Sequence, residues 1–269
     1  MQVLSIIIIH KKVFSSQQIC EWKTSGTPPK GLNPIGDPNG DGSGGGDTGF
    51  EYPEPPQNPC EKIKAQKTDQ GYKDKVSELD HDSIFQKNTE TGFAAAYGPQ
   101  TNYERLKIIT DDKLKMPEGN KYFAYIHVHL DKEGAIKIFS PADVHTFLLK
   151  CVRNAKEKGN MSDAYAMVIT SQGNYMLKYS GNGGYTLAGQ YSTWKESYDR
   201  KYLELIENNK LTQENIEKIF TQFLKETINI SGLEVYKIDK TTGNPSINLN
   251  TTEKTILYTL YHVHNNILI

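Results

Sequence analysis

The chain has 269 residues, enough for one or two domains, with 31 basic against 32 acidic side chains and a net charge of −1. That balance gives no electrostatic support for a nucleic-acid or anionic-membrane partner. Hydrophobic residues make up 36%, low for a compact globule, and the deficit is concentrated near the N-terminus.

Residues 1–23 form a short N-terminal segment. Its apolar run, Ile6–Ile9, is far too short to span a bilayer and lacks the basic leader and small-residue cleavage site of a secretory signal. Residues 24–59 read as a flexible linker, GDPNGDGSGGGDTG followed by EYPEPPQNP, too poor in apolar residues to fold. The folded part is not expected to depend on it. Asp37, Asn39, Asp41 and Ser43 resemble part of a calcium loop, but its closing glutamate and flanking helices are missing. Cys20, Cys60 and Cys151 contain no CxxC pair, so no structural zinc or dense disulfide framework is indicated. Cys20 and Cys60 flank the linker and are placed to pair if the protein is exported. Cys151 falls on an apolar stripe and reads as core.

Residues 60–191 carry the patterning of an α/β core, a mixed β-sheet flanked by helices. A polar helical lead-in covers Cys60–Leu79, and a small-residue strand follows at Phe93–Tyr97. Tyr122–Leu130 (YFAYIHVHL) reads as a strand, and Asp131–Gly134 as a turn. A helix then opens at Ser140-Pro141-Ala142-Asp143, with Ser at the N-cap, Pro at the first position and Asp at the third. Val144, Phe147, Leu148, Cys151, Val152 and Ala155 give it one apolar stripe. Ala164–Thr170 and Tyr175–Tyr179 read as a hairpin. Residues 192–269 read as a C-terminal α+β extension: helices at Ser192–Asn208 and Thr212–Glu226, and strands at Leu233–Lys240 and Thr255–His264.

The chemistry concentrates in His127-x-His129 and Ser140-x-x-Asp143. Side chains alternate across a strand, so the two imidazoles share a face while Ala124, Ile126, Val128 and Leu130 line the other. Two imidazoles and a carboxylate are the three ligands of a hydrolytic zinc site, whose fourth position stays open for water. Ser140 is placed to hydrogen-bond that water or an oxyanion. The bland alternative is a strand face followed by an ordinary helix cap. His262-Val263-His264 shows that the same spacing also occurs with no S-x-x-D after it.

The combination resembles the JAMM motif of the MPN/JAB-type zinc metallopeptidases, over roughly residues 84–180. The resemblance implies a JAB/MPN-like fold with cytidine-deaminase-like layering. It also implies zinc held by His127, His129 and Asp143, a glutamate on an earlier strand as general base, and Ser140 assisting the intermediate. The matching glutamate is Glu90, in the segment ETGFAAAYG; composition and spacing alone do not choose it over Glu78 or Glu104. Leu130 stands where the family usually carries proline, and ten residues rather than about seven separate the second histidine from the serine. The implied activity is zinc-dependent hydrolysis of peptide or isopeptide bonds, with a peptide or protein substrate. The competing expectation is a non-catalytic binding or structural module. The linker style suggests one module of a larger bacterial surface or secreted protein. The sequence assigns no oligomeric state.

Overall fold

The computed structural model describes residues 59–110, 113–243 and 245–248. The N-terminal segment, the linker up to residue 58, the strand expected at Thr255–His264 and the Cys20–Cys60 pairing lie outside the described residues. Among the described residues, no helix is long and apolar enough to cross a membrane.

The lead-in forms two helices, α1 (Pro59–Gln66) and α2 (Gln70–Leu79). They break at Asp69, whose carboxylate accepts the Tyr72 backbone N–H at 3.2 Å and caps α2. A single turn, α3 (Asp82–Phe85), leads into β1 (Gly92–Ala96) and β2 (Asn102–Arg105). A separate two-stranded ribbon follows, β3 (Lys107–Thr110) with β4 (Lys113–Lys115). Next come β5 (Tyr122–Val128), α4 (Pro141–Thr146) and α5 (Arg153–Lys158), the two helices joined through a π-helical stretch at Phe147–Val152. β6 (Tyr165–Thr170) and β7 (Gly173–Tyr179) make the expected hairpin, closed by Ser171 and Gln172. Then follow α6 (Gln190–Glu207), α7 (Gln213–Gln222) with a π-helical end at Phe223–Ile228, β8 (Leu233–Ile238) and β9 (Pro245–Asn248).

The main sheet has seven strands in the order β2-β1-β5-β6-β7-β8-β9. Only β5 and β6 are parallel; every other neighbour is antiparallel. The class is therefore α/β with a mixed sheet. A parallel pair needs a crossover, and the continuous α4–α5 helix supplies it. Its stripe of Val144, Phe147, Leu148, Cys151, Val152 and Ala155 is fully buried. Both faces of β5 are covered, not only the apolar one. On one side Tyr72 of α2 packs edge-on to Tyr165, its hydroxyl 3.2 Å from the Met167 sulfur. On the other, Tyr125 reaches Asp143 of α4 and Tyr175 reaches Glu217 of α7.

Residues 192–238, read from sequence as an extension, share this sheet and core. β8 pairs along the whole of β7, and Trp194, Phe220 and Phe223 are buried with the residues of the crossover helix. One of the buried polar residues is a lysine. Lys178 on β7 is buried, its Nζ donating to the Ser162 carbonyl at 2.7 Å. Burial pushes its ammonium pKa down to about 7, with nearby Lys62 adding to and Asp163 opposing the shift.

Candidate metal centre

Strand β5 delivers the histidines. Tyr125, His127 and His129 alternate onto the face that looks toward α4, and His129 continues the parallel register beyond β5 by donating its N–H to the Ile169 carbonyl at 3.0 Å. The Ser140 cap delivers the carboxylate. Asp143 Oδ2 accepts from the Ser140 N–H at 2.7 Å and from its hydroxyl at 2.8 Å, while the Asp143 N–H donates back to Ser140 Oγ at 3.2 Å. This reciprocal box fixes the side chain as well as the helix start.

The three groups meet. His127 Nε2 lies 3.1 Å from His129 Nε2 and 3.3 Å from Asp143 Oδ1, and His129 Nε2 lies 3.5 Å from Asp143 Oδ2. The other nitrogen of each ring is already committed. His127 Nδ1 is 3.2 Å from the Met167 carbonyl and His129 Nδ1 is 3.2 Å from the Ile136 carbonyl. A carbonyl only accepts, so with a proton on each Nδ1 the Nε2 atoms are left to face Asp143 as the remaining ring nitrogens. Two Nε2 atoms and a carboxylate thus face one another at hydrogen-bond distance. Such an arrangement can share a proton or hold a metal ion.

The separations can be compared with those of a zinc site. Tetrahedral zinc holds ligands at about 2.0–2.2 Å, which places ligand atoms about 3.3–3.6 Å apart. The separations of 3.1, 3.3 and 3.5 Å are of that size, the last two running to different oxygens of Asp143; one ligand atom from each residue lies within 4.8 Å of the others. Backbone carbonyls on both Nδ1 atoms are the usual outer partners of zinc-bound histidine. Among the described residues, His127, His129 and Asp143 are the one group of His, Cys, Asp or Glu side chains that converges in this way.

Pairing places Glu90. Gly92 lies opposite His127 in the antiparallel β1–β5 register, and the Thr91 carbonyl accepts the Val128 N–H at 3.1 Å. Continuing that register brings Glu90 opposite His129, on the histidine face. Glu90 lines the same cavity as His127, His129, Ser140 and Asp143, a cleft of about 770 Å³. The rival glutamates do not reach it. Glu78 on α2 pairs with Lys75 and Arg105, and Glu104 on β2 accepts from the Tyr122 hydroxyl.

The ten-residue spacing is absorbed in the loop. Gly134 adopts a positive φ of 72° at its turn, and Ile138 and Phe139 return to the core before Ser140. The same loop supplies the Ile136 carbonyl that fixes the His129 ring. Leu130, in the proline position, is buried, and its carbonyl accepts from Lys137. Sequence reasoning missed two tyrosines of the cleft. Tyr125 sits two residues before His127, and β-strand alternation alone assigns it to the histidine face. Tyr198 comes from α6, and no local pattern connects it to the site.

Burial disfavours the charged form of both His129 and Asp143, yet each stabilises the other. The Asp143 hydrogen bond and charge, with Glu90 adding, hold His129 above its usual range. The charge and hydrogen bond of His127, with those of His129, hold Asp143 well below its own. In metal-free protein His129 therefore adds stability that is full below about pH 6.5 and is lost as pH rises through its elevated pKa. Asp143 adds stability above about pH 4 that is lost as pH falls. Lys178 acts oppositely above neutrality, because its depressed pKa makes stability rise with pH. The His129 contribution is thus expected in a difference: the gap in unfolding free energy between metal-free wild type and His129→Gln narrows from pH 6 to pH 9. A gap that is flat or widens with pH contradicts the assignment.

No protein-family profile, curated protein or solved structure matches the chain.

Proposed function

We propose that the chain is a zinc-dependent hydrolase of peptide or isopeptide bonds, with a site arranged as in the JAMM metallopeptidases and a JAB/MPN-like layering of its sheet and helices. The observation that carries the reading is the convergence at the centre: two Nε2 atoms 3.1 Å apart, each 3.3–3.5 Å from an oxygen of Asp143, with both Nδ1 atoms beside carbonyls and Glu90 lining the same cleft. His127, His129 and Asp143 hold the metal. Zinc held there supplies Lewis acidity, bringing a water's pKa toward neutrality and polarising a scissile carbonyl. Glu90 is the general base, taking the proton of the attacking water and returning it to the leaving amine. Ser140 holds the Asp143 carboxylate; to donate to an oxyanion, its hydroxyl first gives up that bond.

Protein purified without a histidine tag and loaded with zinc should retain about one zinc per chain after desalting, as three-ligand sites do. Elemental mass spectrometry measures this, and retention below about a tenth of an equivalent overturns the reading. A second reading, a metal-holding module without catalysis, is favoured by one observation: the Ser140 hydroxyl proton is already given to Asp143. It predicts the same zinc content with no hydrolysis of any peptide bond.

A further inference from the structure

Asp143 is gripped by more than its serine. The Tyr125 hydroxyl donates to the Asp143 backbone carbonyl at 2.8 Å, and the Tyr198 hydroxyl donates to the Phe139 carbonyl at 3.1 Å. These carbonyls bracket the turn that begins the helix, one before Ser140 and one at Asp143 itself. The two tyrosines come from opposite sides. Tyr125 belongs to the histidine strand, its ring 5.4 Å from that of His127, and Tyr198 belongs to α6. Both are buried, and both line the cleft.

The helix geometry marks where this grip acts. The Asp143 carbonyl also accepts the Phe147 N–H, which it shares with the Val144 carbonyl. At Phe147 the helix leaves α geometry for six π-helical residues, a rare departure that is frequent at functional sites and recurs in this chain at Phe223–Ile228. Tyr125 therefore holds the helix at the turn where its hydrogen-bonding pattern changes. A capping box alone orders a helix start relative to itself. It does not fix that start relative to a neighbouring strand, and the separation of Asp143 from His127 and His129 depends on that distance.

We propose that Tyr125 and Tyr198 are positioning residues that clamp the 139–143 turn and so set the distance between Asp143 and the two imidazoles. The inference rests on the metal reading above and extends it to α6. It gives that helix a task in the site. Neither hydroxyl is proposed to touch substrate.

Cobalt(II) titration of metal-free protein tests the clamp, because the visible bands of cobalt report ligand geometry without any turnover. Tyr125→Phe and Tyr198→Phe each keep the ring and remove one hydroxyl. Each should weaken cobalt binding about 10–100-fold, the usual effect of removing an outer-shell partner, and should shift the visible bands. Tyr185→Phe is the control. Its hydroxyl donates to the Leu148 carbonyl at 2.8 Å, a tyrosine–carbonyl bond to the same crossover helix beyond the 139–143 turn, and its affinity and spectrum should match wild type. Wild-type affinity and spectrum in either test variant overturn the clamp. Equal weakening in all three variants, with unchanged bands, also overturns it, since that pattern reports general loss of stability. Failure of wild type to bind cobalt or zinc at all overturns the metal reading itself, and the clamp with it.

Discussion

Glu90→Gln is expected to keep its zinc and lose turnover by about 10²–10⁴-fold, the usual contribution of a general base. The amide preserves the size and cavity position of the side chain but cannot take a proton. His129→Ala should lose both metal and activity, because it removes an inward-facing lone pair and leaves two ligands where three are needed. Metal content by elemental mass spectrometry and hydrolysis of a mixed peptide library by zinc-loaded protein separate the two variants. Equal zinc loss in both would make Glu90 a ligand and not a base. Full hydrolysis by Glu90→Gln would remove Glu90 from the chemistry altogether.

Gly92→Ala should damage both the fold and the centre. Gly92 lies opposite His127, and a Cβ there would clash with the Ile126 carbonyl oxygen and meet His127 Cβ at 2.8 Å and His127 Cα at 2.9 Å. Two of these three atoms are backbone, so no rotamer change relieves the clash. β1 and β5 must separate, and that moves Glu90 away from the histidine face. Overpacking of this kind costs about 1–3 kcal/mol. Urea denaturation of metal-free protein measures the loss, and zinc retention should fall with it. A stability change below about 0.5 kcal/mol, the range of ordinary surface substitutions, would show that the strands accommodate the methyl.

The contrast between these two sites shows what the sequence could carry. The His127/His129 face follows from strand alternation, and Asp143 follows from cap chemistry at Ser140. Both are local rules, so strand β5, helix α4 and their side chains were legible from a few residues each. The placement of Glu90 depends on the register between β1 and β5, which no local pattern states; only the family resemblance pointed to it. Gly92 is the residue that lets this register form, and it reads in the sequence as an ordinary glycine. β2 and the β3–β4 ribbon were not anticipated. Their exposed segments bury too little for apolar periodicity to appear. The π-helical stretches were hidden too, since the apolar stripe through Phe147–Val152 reads as a plain α-helix. The boundary at residue 192 was set where two helices follow the hairpin, and β8 after them pairs with β7.

The β3–β4 ribbon has a consequence for how this protein behaves in a crowded solution. Among the described residues, β3 and β4 pair only with each other, so each has a strand edge with no ladder. Ile108 and Ile109, adjacent and therefore on opposite faces, are each 58% exposed, although Leu114 of β4 packs against the core. A bare edge beside exposed isoleucines is the usual starting point for edge-to-edge aggregation. Lys107 and Lys113 stand along this same short ribbon, and Lys115 pairs with Glu118, so an approaching copy would meet like charge at the edge. The lysines stand where gatekeeper charges stand, and edge pairing of the ribbon would be opposed by charge.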